Sequence, residues 1–271
     1  MVTRALEEAD CGLGEIEAVA VGHRPGLIGA LLVGVSAAKA LAWSLGVPLV
    51  GVDHVRAHLW AGLLETDAEL GDVFPALGLV ISGGHTAMFR CGAPTELVRL
   101  GGTIDDAVGE AYDKAAAILG LGHPGGPTID RLAQEADAND RAVELPVSRL
   151  GKESLDFSFS GLKTALLYEV RGVPGPGGVF ERTNASLTHE RKRDLAASFQ
   201  RVASKAIVLK MERALDVIEE KPRAILVGGG VSANSRIRRE LGELAERRGL
   251  EGRRLAWLGL GLGLGLGLGV G

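Results

Sequence analysis

Cysteine is nearly absent: Cys11 and Cys91 are the only two in 271 residues. They stand far apart and form no C-x-x-C pair, so the sequence offers neither a disulfide framework nor a thiolate metal site. A reducing cytoplasm is the expected setting. A strong net charge is also lacking. At a formal charge of -4 the chain has no global attraction for nucleic acid, and any RNA contact must come from a local basic patch or a partner protein. No cationic segment precedes a short apolar core at the N-terminus, which argues against a signal peptide. The apolar run 27–45 approaches membrane-spanning length, but Ser36, Lys39 and Ser44, with Gly29, Gly34 and several alanines, point instead to a buried small-residue helix.

What the sequence does contain begins with GVDHVRAHLWAGLL. His54 and His58 lie one helical turn apart just after an apolar run that reads as a strand, so both imidazoles share a face and can hold one divalent ion. Asp53 is placed to cap that helix. The plainer alternative is two polar residues on a half-exposed helix. The zincin pattern H-E-x-x-H requires a glutamate beside the first histidine, whereas Val55, Arg56 and Ala57 fill the gap here. An ion held this way would polarise or position a substrate oxygen rather than generate hydroxide.

Strand and helix patterns alternate along the chain, which predicts an α/β protein. The N-terminal part reads as a helix end at 4–9, strands at 17–21 and 48–52, and helices at 27–45 and 53–64. A boundary is expected near Phe74, giving a partial N-terminal lobe at 1–74 and a second α/β lobe at 75–257. In the second lobe, strand 77–81 turns through Ser82-Gly83-Gly84-His85-Thr86 into strand 87–90. Asp105 and Asp106 are expected to open a helix carrying Val108, Tyr112, Ala115 and Leu119 and ending before Pro124-Gly125-Gly126-Pro127. There follow a passage into a helix at 157–164, a Gly/Pro-rich mobile loop at 170–179 and a long amphipathic helix at 191–219. Strand 224–227, the turn Gly228-Gly229-Gly230 and a helix at 233–248 complete the lobe. The segment 258–271 alternates leucine with glycine, cannot specify a packed core, and is excluded from the fold; a frameshift or a degenerate natural end would each produce it.

Two glycine turns after buried strands suggest a nucleotide cleft, because unobstructed backbone N–H groups can approach phosphate oxygens. Each turn alone is weak, since tight turns use glycine anyway. Ser82 and Thr86 read as turn-stabilising hydroxyls, and His85 as a hydrogen-bonded residue rather than a ligand. Asp113 is either half of a solvated pair with Lys114 or an acceptor for ribose hydroxyls. Gly126 and Asp130 suit the opposite wall, though Asp130 also suits a helix cap, and Asn234 reads either as a cap or as a group that contacts a base or hydroxyl.

The strings HRPGLIGALLVGVSAAKALAW, GVDHVRAHLWA, VISGGHTAMFR, GGTIDDAVGEAYDKAAAILGLGHPGGPTIDRLA, DFSFSGLKTAL and ILVGGGVSANSRIR occur in that order across residues 2–250. Together they resemble the TsaD family of tRNA adenosine threonylcarbamoyltransferases, formerly called O-sialoglycoprotein endopeptidases. The resemblance implies an actin-like ATPase (ribonuclease H-like) fold of two lobes, with the active site between them. It implies transfer of threonylcarbamoyl from threonylcarbamoyl-AMP to the adenosine beside the tRNA anticodon. His54 and His58 would be metal ligands, for iron or else zinc or magnesium. Val80, Ile81, Ser82, Gly83 and Gly84 would line the intermediate's site, and Asp113, Gly126, Asp130 and Asn234 would hold its adenylate part. TsaB and TsaE are the implied partner proteins, with tRNA, and no membrane is implied.

Members of that family open with a motif like GIETSCDET, where this chain has MVTRALEEAD. They also carry a CTDNAAM-like motif whose aspartate completes the metal site, where this chain runs from Trp257 into the leucine–glycine repeat. The expectation is therefore a sequence truncated at both ends, with an incomplete first lobe, weak binding of hard cations and little activity. Other readings are an actin-fold kinase for a sugar or acetate, which leaves the histidine pair unexplained, and a noncatalytic scaffold. A metallopeptidase lacks its glutamate.

Overall fold

The computed structural model describes residues 2–257 apart from 62, 64–68, 149, 152, 176, 181 and 251–254, so the leucine–glycine segment lies outside the described residues. The chain divides into two compact units, Met1–His58 and Leu59–Gly271. The smaller contains α1 (Val2–Glu8), β1 (Val19–Arg24), α2 (Ile28–Leu45), β2 (Leu49–Asp53) and the first turn of α3 (His54–Ala61). β1 and β2 pair in parallel, Val19 opposite Leu49, and α2 makes the crossover. Gly46, at φ 69°, ends α2 in the left-handed conformation glycine adopts without strain, and Val47 N–H then donates to Ala42 O at 3.0 Å.

The expectation that this helix is buried does not hold. Only Ala38 and Ala42 are buried, while Ile28, Leu32, Val33 and Trp43 are exposed. Leu31, Val35 and Leu41 are half-buried beside Ala38 and Ala42, while those four large side chains point outward.

The second unit starts at Leu59, which is 1% exposed and packs against β3 (Ala76–Ile81); a Cβ at Gly78 would come within 3.0 Å of the Leu59 side chain. Trp60 meets Phe74 edge-on at 5.2 Å, so both flanks of the short α4 (Leu70–Val73) belong to the larger unit.

A five-stranded sheet organises this unit: β3, β4 (Thr86–Ala93), β5 (Glu96–Gly102), β6 (Ala224–Gly228) and β7 (Leu255–Trp257), in the order β5-β4-β3-β6-β7. β3 is antiparallel to β4 and β4 to β5, whereas β6 pairs in parallel with both β3 and β7. Three antiparallel strands followed by parallel strands reached through helices form the ribonuclease H-like pattern. β3 is buried at every residue, as a central strand covered on both faces must be. Its helical cover is α5 (Val108–Ile118), α6 (Gly125–Ala133), α7 (Ser160–Arg171), the 29-residue α8 (His189–Val217) and α9 (Ser235–Arg247).

Among the described elements, α4, β5, α6 and β7 escape the sequence pattern. β5 is an edge strand whose alternating polar residues hide it. α6 begins inside Pro-Gly-Gly-Pro, which reads as a helix end but serves as a start, because Pro127 falls in the first turn, where no intrahelical N–H bond is lost.

Asp105 and Asp106 do not open α5. They precede its first residue, and the Thr86 hydroxyl caps α5 from a neighbouring strand by accepting from Val108 N–H at 2.8 Å. Asp105 instead ties down α7, accepting from the Ser158 hydroxyl at 2.6 Å, the Ser160 hydroxyl at 2.7 Å and Phe159 N–H at 2.8 Å. Asp106 accepts from Lys114 at 2.6 Å and Lys163 at 2.9 Å. The expected loop at 170–179 also starts inside a helix, since α7 runs to Arg171 with Val170 buried.

Burial alone would raise the Asp105 carboxyl, but its hydrogen bonds from Ser158, Phe159 and Ser160 outweigh that and hold it below its ordinary 3.8. A carboxyl lowered on folding contributes stability that is complete above the ordinary value and is lost as pH falls through the lower folded value. Asp105→Ala is therefore expected to cost roughly 1–3 kcal/mol at neutral pH in urea unfolding. The gap from the parent should close as unfolding is repeated at progressively more acid pH below 3.8.

Candidate functional site

The parallel pairing of β3 with β6 sets Val80 opposite Gly228, so the two glycine turns leave the sheet side by side. The first is closed by its own side chain and backbone: Ser82 N–H donates to His85 O at 2.8 Å, and His85 N–H to the Ser82 hydroxyl at 3.1 Å. In the second, Gly229 at φ 96° presses against Ile81 O so tightly that a Cβ would overlap it. A short 3-10 turn, Gly230–Ala233, then leads to Asn234, whose side-chain oxygen caps α9 by accepting from Ile237 N–H at 3.1 Å.

Both turns border one cavity of about 480 Å³, a size that suits a small ligand. Gly83 and Gly109 form one side, Tyr112 and Asp113 of α5 the next, Gly126 and Asp130 of α6 the third, and Gly230 to Asn234 the last. All of these residues belong to the larger unit.

Of the residues singled out from the sequence, Gly83, Asp113, Gly126, Asp130 and Asn234 meet around this cavity. Val80 and Ile81 sit in the β3 core with no exposure. Ser82 holds its turn, and Gly84 is exposed on the same turn.

Asp113 is not half of a pair with Lys114, which binds Asp106 and Glu110 instead. Its Oδ1 accepts from Gly125 N–H at 2.7 Å and fixes the first turn of α6. Asp130 bridges three helices: it accepts from Gln200 Nε2 at 2.9 Å and, at the start of α9, from Ser235 N–H at 3.1 Å and the Ser235 hydroxyl at 2.6 Å. Asp130 therefore does not cap the next helix in sequence: it lies inside α6, lines the cavity and braces the start of α9 through Ser235.

Tyr112 is the polar wall that sequence reasoning placed only in the core. It is 1% exposed and packs edge-on to Phe199 with centroids 5.2 Å apart. Its hydroxyl has no aligned hydrogen-bond partner among the described residues, although the Asn234 side chain is near enough to interact with it. Burial, reinforced by the Asp130 carboxylate, pushes its ionisation upward, so the phenol stays neutral. Gln200, 2% exposed on α8, was also missed. Its signal is a long amide within the alanine-rich buried stripe of α8, where a polar side chain needs partners.

The histidine pair stands in the smaller unit. His54 and His58 share one face of α3 with ring centroids 4.3 Å apart at 64°. Asp53 caps the helix as expected, its Oδ1 accepting from Val55 N–H at 2.9 Å and Arg56 N–H at 3.2 Å, while Oδ2 pairs with Arg24 at 3.1 Å. The two imidazoles fit a pair of metal donors. Among the described residues no three His, Cys, Asp or Glu side chains converge, so the remaining coordination is not supplied there. Cys91 offers none: burial pushes its thiol up to about 12.

The glycines around the cavity divide into two classes that substitution separates. A Cβ at Gly109 would lie 2.6 Å from Ser82 O and 2.8 Å from Gly83 Cα, whereas at Gly126 nothing lies within 4 Å. Gly109→Ala is expected to cost about 1–3 kcal/mol in urea unfolding. Gly126→Ala should leave stability within about 0.5 kcal/mol yet reduce ligand affinity by narrowing the cavity, as calorimetric titration would show.

The sequence profile of the family described as tRNA N6-adenosine threonylcarbamoyltransferase, TsaD, matches residues 1–253. A curated relative of that name from Trichlorobacter lovleyi is 48% identical over 252 residues, covering 93% of this chain and 68% of its own length. One from Syntrophotalea carbinolica is 45% identical over 251 residues, with 93% and 68% covered. One from Moorella thermoacetica is 44% identical over 250 residues, with 92% and 68% covered. With this similarity along nearly its whole length, the chain belongs to the TsaD family of tRNA N6-adenosine threonylcarbamoyltransferases, which are transferases of the actin-like ATPase fold.

Proposed function

We propose that the cavity of the larger unit binds the adenylate part of threonylcarbamoyl-AMP and that the chain passes the threonylcarbamoyl group to N6 of the adenosine beside the tRNA anticodon. The observation that carries this reading is the convergence of Gly83, Gly230, Asp113, Asp130 and Asn234 on a single cavity. Bare glycine N–H groups suit a phosphate, the carboxylates suit ribose hydroxyls, and Tyr112 lines the cavity with its ring.

In the reaction, the N6 amine attacks the carbamoyl carbon, the new N–C bond forms, the bond from that carbon to the phosphate oxygen breaks, and AMP leaves as the amine loses a proton. A weakly nucleophilic amine depends chiefly on being positioned, and rigid walls serve that purpose. Asp113 holds the start of α6 and Asp130 the start of α9, so the polar groups that would contact the nucleotide are already aligned before it arrives.

The family is metal-dependent, and His54 and His58 would hold the ion in this chain. Iron is the first candidate, with zinc and magnesium as alternatives. When bound, such a cation would make a nearby carbonyl or phosphoryl group more electrophilic. TsaB and TsaE are the proposed protein partners and the cytoplasm the proposed location.

The test supplies threonylcarbamoyl-AMP and unmodified tRNA to the chain, alone and with the two partner proteins, and assays the tRNA nucleosides by mass spectrometry. Threonylcarbamoyladenosine is the expected product, with Asp113→Ala lowering its rate at least about tenfold. The double variant His54→Ala, His58→Ala should lose bound divalent metal by elemental analysis. Binding of AMP without any transfer, even with partners, would overturn the transferase reading, and phosphate transfer from ATP to a small acceptor would replace it with a kinase.

A further inference from the structure

Gln200 joins two walls of the cavity through a single amide. Its Nε2 donates to Asp130 Oδ1 at 2.9 Å, and its Oε1 accepts from Asn234 Nδ2 at 2.8 Å. Both directions are dictated. An ionised carboxylate only accepts, so Gln200 must turn its NH2 group to Asp130 and its carbonyl to Asn234. Asn234 must then offer its own NH2 group, which leaves its Oδ1 to accept from Ile237 N–H at 3.1 Å. Flipping either amide would bring acceptor against acceptor or donor against donor. The loop closes on α9, where Asp130 accepts from both the N–H and the hydroxyl of Ser235.

Asp130 belongs to α6, Asn234 precedes α9, and Gln200 comes from α8, so three segments remote in sequence are keyed together directly behind the ligand surface. Asp130 and Asn234 line the cavity, whereas Gln200 does not.

We propose that Gln200 is a positioning residue for nucleotide binding: its amide sets the spacing of the Asp130 and Asn234 walls and locks both side chains in the orientation that receives the adenylate. This rests on the nucleotide reading of the cavity given above. The other titratable groups around the bridge are Tyr112 on α5 and an ion-pair cluster at α9, where Arg236 pairs with Glu240 at 2.6 Å and with Asp140 at 2.7 Å, and Glu240 also lies 3.9 Å from Arg239.

The test measures AMP binding by calorimetry for the parent chain, Gln200→Met and Gln200→Glu at pH 7.5 and pH 5, with urea unfolding of each protein. Methionine keeps the length and loses both hydrogen bonds, so AMP affinity is expected to fall at least about tenfold while unfolding stays cooperative. Glutamate sets a second carboxylate against Asp130. At pH 7.5 its affinity relative to the parent should fall at least as far, and at pH 5 that ratio should recover severalfold, because two carboxylates sharing a site retain a proton that donates between them. Damage to packing alone would give a deficit insensitive to pH. Parent-like affinity in Gln200→Met, or a Gln200→Glu deficit that pH leaves unchanged, would overturn the inference. Failure of the parent chain to bind AMP would overturn the nucleotide reading itself, and this inference with it.

Discussion

The parallel pairing of β3 and β6 is the constraint on which the rest of the larger unit depends. It places two strands of one direction side by side, so the turns that follow them emerge at the same sheet edge. Neither turn alone specifies a binding surface. Their adjacency brings them to one cavity, because Gly229 packs against Ile81 O and Gly109 against Ser82 O, distances that close only when no side chain intervenes. The glycines of SGGH and GGGVSAN thus have two separate duties. Some permit backbone to touch backbone, and others, such as Gly83 and Gly230, leave open space that a ligand can enter.

Helices are then hung on this edge by side chains remote in sequence. Thr86 caps α5, Asp113 caps α6, Asp105 pins α7 and Asp130 braces α9. None of α5, α6, α7 and α9 has a first turn closed by a side chain inherited from its own approach strand, except for Asn234 at α9. Orphan N–H groups at helix starts must find partners somewhere, and here they find them on the neighbouring element. The consequence is cooperative. The same bonds that complete each helix also fix its position relative to the next, so the cavity walls cannot move independently without exposing unpaired donors.

That arrangement explains which parts of the structure were legible in the sequence. Hydrophobic period and glycine punctuation are local signals, and they located β3, β4, β6, α5, α8 and α9 and both glycine turns. Helical spacing placed His54 and His58 on one face, and the Asp53 cap followed from its position before them. Local signals misled where a partner lay far along the chain. Asp105 and Asp106 look like a helix start, yet their partners are at Ser158 to Lys163. Pro-Gly-Gly-Pro looks like a stop, yet an N–H bond to Asp113 makes it a start. The alanine-rich, apolar α2 looks like core, yet Ile28, Leu32, Val33 and Trp43 face outward and only Ala38 and Ala42 are fully buried. Gln200 gave only the faint signal of an amide in an apolar stripe.

The predicted substrate-binding side chains are already hydrogen-bonded to protein, which bears on how the cavity discriminates. Asp113 and Asp130 each use an oxygen on a neighbouring helix start, and Asn234 uses both ends of its amide. A carboxylate so engaged keeps further lone pairs for a hydroxyl but has lost the freedom to turn toward a differently shaped ligand. The proposed recognition surface is therefore preorganised. Binding loses little side-chain entropy, and a ligand whose hydroxyls are misplaced meets walls that do not adjust. Tyr112 lines another side of the cavity with its ring, and its hydroxyl is buried with the Asn234 side chain near enough to interact. The cavity thus presents acceptors held rigid by the helices they join, which would select a proposed nucleotide by the position of its hydroxyls.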